Sequence, residues 1–117
     1  MAVIYYDINY VKGDSHQIQV TEVGEVDRMY MTVKDTSNLV KIQKKYYLDP
    51  RAGTSNDIEL QEDGSYIITL NPSDTDNLKC LKKYNYDIEI IVGKVKATIV
   101  KGTIELEEEY TCKRDEV

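Results

Sequence analysis

The sequence contains no phenylalanine and no tryptophan, so aromatic packing falls entirely on ten tyrosines. Each tyrosine ring carries a hydroxyl that needs a hydrogen-bond partner when buried, which suits the margins of a layered core and protein interfaces. Histidine occurs once and cysteine twice, too few ligands for a structural zinc set. No apolar run is long enough to cross a bilayer. The start, Met1-Ala2-Val3-Ile4-Tyr5-Tyr6-Asp7, has no basic segment followed by an apolar core and a small-residue cleavage site, so no secretory signal is predicted. A chain made and folded in the cytosol keeps Cys80 and Cys112 as free thiols. Basic residues number 15 against 21 acidic ones, a formal charge of −6. Nucleic-acid affinity comes largely from Lys and Arg displacing counterions, so nucleic acid is not an expected partner, and neither is a membrane. Lys41, Lys44 and Lys45, and the pair Lys82 and Lys83, offer local basic patches that read more simply as solvated strand faces and loop tips.

What is present is alternation. At 117 residues the chain has the size of one compact domain, predicted to span 1–117. In Tyr84 to Val92, the residues Tyr84, Tyr86, Ile88, Ile90 and Val92 share one face while Asn85, Asp87 and Glu89 share the other, as in a strand with one buried and one wet side. Gly93-Lys94 then supplies a two-residue hairpin turn of type II′, and the chain returns antiparallel. On the return, Val95, Ala97 and Ile99 occupy odd positions but Ile104 and Leu106 even ones, which predicts a β-bulge at or near Gly102. Weaker alternation predicts five earlier strands, at Ile4 to Tyr10, Ile18 to Val20, Met29 to Val33, Val40 to Ile42 and Tyr66 to Leu70. The segment from Asn71 to Leu78 reads as the single short helix, with Asn71 as cap, Pro72 at the first position and acidic residues in the first turn. The polar stretch from Asp49 to Asp57 reads as an exposed loop with at most one helical turn, and the acidic end is expected to fray after Tyr110.

Together these elements predict an all-β fold, an immunoglobulin-like antiparallel β-sandwich of about seven strands with one short helix between strands five and six. Tyr84 or Tyr86 is placed to tie the corner after that helix to nearby backbone, as the corner tyrosine of such sandwiches does.

Candidate chemistry is sparse, and no enzyme activity is expected. Ser15 and His16 are adjacent, so on a strand they point to opposite faces and make a poor nucleophile and base pair. Asp74 and Asp76 resemble alternating calcium ligands, but Lys79 and Asn85 stand where the loop needs glycine and glutamate, so helix-start acids are the better account. Glu105, Glu107 and Glu109 share one face of a strand, with Glu108 opposite, and read as a charged edge that discourages sheet-to-sheet aggregation rather than a cation site. No catalytic residue, metal ligand or cofactor is predicted. In the adjacent pairs Tyr5-Tyr6 and Tyr46-Tyr47 one ring of each must face away from the core, which makes Tyr5, Tyr46 and Tyr47 the candidate interface residues.

The second half, from Gly64-Ser65-Tyr66-Ile67-Ile68-Thr69-Leu70 through Asp74-Thr75-Asp76-Asn77-Leu78 to Tyr84-Asn85-Tyr86-Asp87-Ile88 and Thr98-Ile99-Val100-Lys101-Gly102-Thr103-Ile104, resembles small immunoglobulin-like domains of tailed bacteriophages and prophages. The amino-terminal domain of siphophage baseplate upper proteins is similar. Such domains often introduce the Tyr-x-Tyr strand with a glycine, where Lys82-Lys83 stands here. The resemblance implies a virion structural or assembly module (a tail, baseplate or head-tail accessory protein), made in the bacterial cytoplasm and docking to other virion proteins or to itself as a homo-oligomer. The alternative is a secreted or surface adhesion module that binds a glycan or a host protein.

Overall fold

The computed structural model describes residues 3–49 and 56–108. Among these residues nine strands pack as two sheets: β1 Ile4–Tyr5, β2 Ile8–Val11, β3 His16–Val20, β4 Arg28–Lys34, β5 Val40–Tyr47, β6 Ile58–Leu60, β7 Tyr66–Leu70, β8 Lys83–Val92 and β9 Val95–Glu107. One sheet runs β1-β9-β8-β4-β5, with β2 also on β9; the other runs β3-β7-β6. This is the strand order of an immunoglobulin-like sandwich, its larger sheet extended in the manner of a variable-type domain. The expected fold class is therefore the observed one.

The core is the alternation made solid. Met29, Met31 and Val33 of β4, Ile68 and Leu70 of β7, Ile88 of β8, and Ile104 and Leu106 of β9 are all fully buried between the sheets. Tyr66 and Tyr46 meet edge to face inside it, with ring centroids 5.1 Å apart, an arrangement that aromatic quadrupoles favour. The β8–β9 hairpin turns on Gly93 at φ +61 with Lys94 outside the left-handed region, which fits the type II′ turn.

The Tyr84 hydroxyl accepts a 2.8 Å hydrogen bond from the Lys79 amide, so Tyr84 is the corner tyrosine. Two residues on, where antibody domains of this class carry a disulfide cysteine, stands the buried Tyr86. Replacing Tyr84 with phenylalanine leaves the Lys79 amide without its acceptor and should cost about 1–2 kcal/mol in urea unfolding; an unchanged midpoint would show that the corner contributes nothing.

Several expectations need correcting. The first predicted strand is two short ones, and both run parallel to β9, Ile4 opposite Val100 and Ile8 opposite Ile104, rather than antiparallel to a neighbour. The β9 bulge is three residues before Gly102: Glu89 faces Thr98 and Ile88 faces Val100, so Ile99 is the extra residue. Gly102 serves another purpose, since a Cβ on it would lie 1.9 Å from the Tyr6 carbonyl oxygen. A second irregularity, which the sequence reading missed, falls where Val33 faces Ile42 but Lys34 faces Val40, leaving Lys41 unmatched and Val40 exposed. Strand β6 was also missed, because an alternation of three residues is too short to register. The helix is one 3-10 turn, Pro72–Thr75. Its Asp74 accepts from the Asn71 amide at 2.7 Å and from Lys44 Nζ at 2.8 Å, so the acid is a turn-start residue as expected. Most of the predicted loop, residues 50–55, lies outside the described residues, as do Glu109, Tyr110 and Cys112.

Candidate interaction surfaces

Of the candidate interface tyrosines, the sandwich leaves Tyr5 and Tyr47 at the surface and buries Tyr46. Tyr46 is 4% exposed, because it faces Met29 across the β4–β5 ladder and opposite residues share a face. Its place in the core overturns its assignment to an interface. Tyr47 projects from the outer face of the large sheet, half-buried. Tyr5 is 78% exposed and Tyr6 50%, so in that pair neither ring enters the core. The alternation rule fails there because the chain leaves β1 and bends before β2 begins.

On the outer face of the large sheet, β4 and β5 bring three side chains together. Arg28 sits opposite Tyr47 and Tyr30 opposite Lys45. Tyr30 and Tyr47 meet edge to face at 6.1 Å and 84°, and the Arg28 guanidinium lies 5.6 Å over the Tyr47 ring. Tyrosine and arginine are among the side chains most enriched at the energetic centres of interfaces, and here the Tyr47 ring lies against both of the others. Sequence reading found Tyr47 but not Arg28 or Tyr30; only the register of β4 on β5 unites them. On β8 the same face carries Asp87, whose carboxyl is raised above its ordinary value by burial and by neighbouring Glu89.

A second surface lies at the open side of the sandwich. Between β1 and β3 runs a groove of about 430 Å³, lined by Ile4, Tyr6, Ile18, Val20, Val23 and Val100 among others. The Tyr6 carbonyl at its edge accepts a 2.5 Å hydrogen bond from the Tyr86 hydroxyl. Desolvation, with Tyr6 and Asp7 nearby, pushes the Tyr86 hydroxyl up to about 12.

The remaining candidates are dispersed. His16 stacks on Tyr10 at 4.7 Å, and its burial lowers its pKa; Ser15 is exposed beside it. The three lysines of β5 form no patch: Lys44 turns inward to Asp74, while Lys45 lies on the outer face. Lys82 lies 5.3 Å over the Tyr84 ring, and Lys83 faces Glu105. Half-buried Cys80 has its Sγ 3.8 Å from the Glu107 carbonyl. Among the described residues no three His, Cys, Asp or Glu side chains converge on a common point, and no helix is long and apolar enough to cross a membrane.

No known protein family matches the chain, and no curated protein is similar to it. Similar solved structures include the extracellular domain of the voltage-gated sodium channel beta4 subunit, whose parallel homodimers are reported to explain its role in cell-cell adhesion. It shares 13% identity, covers 93% of this chain and 96% of its own, and superposes with a TM-score of 0.41.

Proposed function

We propose that this protein is a virion structural module of a tailed phage or prophage, without catalytic activity, that works by docking to other virion proteins. The observation that carries the docking is the preassembled Arg28–Tyr30–Tyr47 cluster on the outer face of the large sheet. A rigid scaffold pays little entropy on presenting such a cluster, so the contact energy goes to binding. The phage assignment is supported by the resemblance of the Gly64-to-Leu78, Tyr84-to-Ile88 and Thr98-to-Ile104 segments to phage immunoglobulin-like domains.

The test is particle incorporation. Particles purified from the producing host should contain the chain at fixed stoichiometry by quantitative mass spectrometry, and Tyr47→Ala or Arg28→Ala should reduce incorporation at least about tenfold while leaving the melting curve unchanged. Absence of the chain from particles removes the virion reading. Binding on a glycan array that is lost in Tyr47→Ala supports the adhesion alternative instead.

A further inference from the structure

A β-sandwich has strand edges that invite pairing with other chains, and natural proteins blunt them with charge, shortness, breaks or bulges. Three edges here carry such devices. Strand β5 has Lys41, Lys44 and Lys45, and a register break at Lys34. Strand β6 is three residues long and bears Glu59. The β1–β2 edge is interrupted at Tyr6 and Asp7. The fourth edge, β3, has none of these: His16-Gln17-Ile18-Gln19-Val20 is an uninterrupted five-residue strand without a carboxylate, lysine, arginine or proline. Its only pairing partner among the described residues is β7.

The bare edge also borders the groove, and the groove's other wall includes exposed apolar side chains of β1 and the bend after it. Of these, Ile4 is 65% and Tyr6 50% exposed. We infer that two copies of this chain pair through their β3 edges, antiparallel about a two-fold axis, joining two β3-β7-β6 sheets into one and closing β1 of each copy over the seam.

Two arguments select a second copy as the occupant. The first is charge. Copies of a chain with net charge −6 repel unless they meet where carboxylates are few, and among the described residues Glu22 is the only charged one lining the groove. The second is area. A tyrosine buries roughly 150–250 Å², so Tyr6 at its present exposure supplies roughly an eighth of the about 800 Å² that each partner of a stable complex gives up. The strand edge and groove lie on the same side of the sandwich and provide the remainder. A two-fold contact uses one patch twice, so both features are covered in one step. The inference goes beyond the virion reading: it uses a different surface, and dimerisation can fail while incorporation holds, or the reverse.

The experiment uses cross-strand charge. Gln17 and Gln19 are exposed on the outer face and make only long side-chain hydrogen bonds, 3.4 Å to Thr69 and 3.2 Å to Ser65. Residues opposite one another in an antiparallel pair share a face, so these glutamines meet outward-facing residues of the other copy. Sedimentation equilibrium of the full chain should show a species of twice 13.5 kDa at about 10 μM. The pair Gln17→Glu with Gln19→Glu, and separately Gln17→Lys with Gln19→Lys, should each weaken dimerisation at least about tenfold with unchanged circular dichroism. Mixing the acidic and basic variants should restore a heterodimer. A wild-type chain that stays monomeric to about 200 μM overturns the inference, as does a dimer indifferent to both charge variants.

Discussion

Replacing Gly102 with alanine should destabilise the protein by about 3 kcal/mol and lower its melting temperature by roughly 10 °C or more. The added Cβ would fall 1.9 Å from the Tyr6 carbonyl oxygen and 2.7 Å from its carbon, both backbone atoms that no rotamer change can move. Relief requires the β1–β2 bend to lift away from β9. That would break the Tyr86 hydroxyl bond to Tyr6, the Tyr6 amide bond to the Lys101 carbonyl at 2.9 Å, and the Asp7 contact with the Thr103 amide at 3.0 Å. Hydrogen exchange should therefore accelerate at Tyr6 and Thr103 before it does at Ile88. Gly93 is the control: its φ is +61 but nothing lies within 4 Å, so alanine there meets only backbone strain of about 1–2 kcal/mol. Equal costs at the two glycines would refute the close-approach account.

The same clamp should open in alkali. The Tyr86 hydroxyl in the folded chain is raised from 10.0 to about 12, first by desolvation and then by Tyr6 and Asp7. Tyr10 is raised to the same value by desolvation and then by Asp74 and Asp14. Above pH 10 the unfolded chain gives up protons that the folded chain keeps, so stability is whole below that pH and falls as it rises towards about 12. In Tyr86→Phe the decline should be shallower.

The second large effect is expected at the β5 ion pair. Lys44 shares the inward face of Met31, and its contact with Asp74 leaves the two side chains 11% and 21% exposed. Asp74→Ala removes the counter-ion of a largely buried ammonium and the acceptor of the Asn71 amide together, and should cost about 2–3 kcal/mol. Adding Lys44→Met to that background removes the stranded charge while keeping most of the volume, and should recover about half of the loss. A double-mutant cycle on urea midpoints measures the coupling; two costs that simply add would mean that the pair is indifferent to its own separation.

Much of the sandwich could be read from side chains alone. Tyr84, Tyr86, Ile88 and Ile90 declare their inward face by alternation, Gly93-Lys94 declares its hairpin, and Asn71-Pro72 declares the short turn. Each depends on neighbours a few residues away, where sequence spacing and spatial spacing coincide. The surface clusters were less legible. Tyr47 stood out as one of an adjacent pair, but Arg28 and Tyr30 join it only through a ladder between strands whose register spacing alone does not state.

The amino-acid order by itself determined that this chain makes strands, which faces of the long ones turn inward, and that tyrosine must serve as its only aromatic. Those follow from period-two geometry and composition, which are properties of the chain at short range. Tertiary structure alone decided that β1 and β2 run parallel to β9, that Ile99 rather than Gly102 is the extra residue, that Gly102 is there for want of space, and that β3 pairs only with β7 among the described residues. Each of these depends on which distant backbone lies alongside, and strand pairing is chosen by the packing of two whole sheets, not by the residues of one strand.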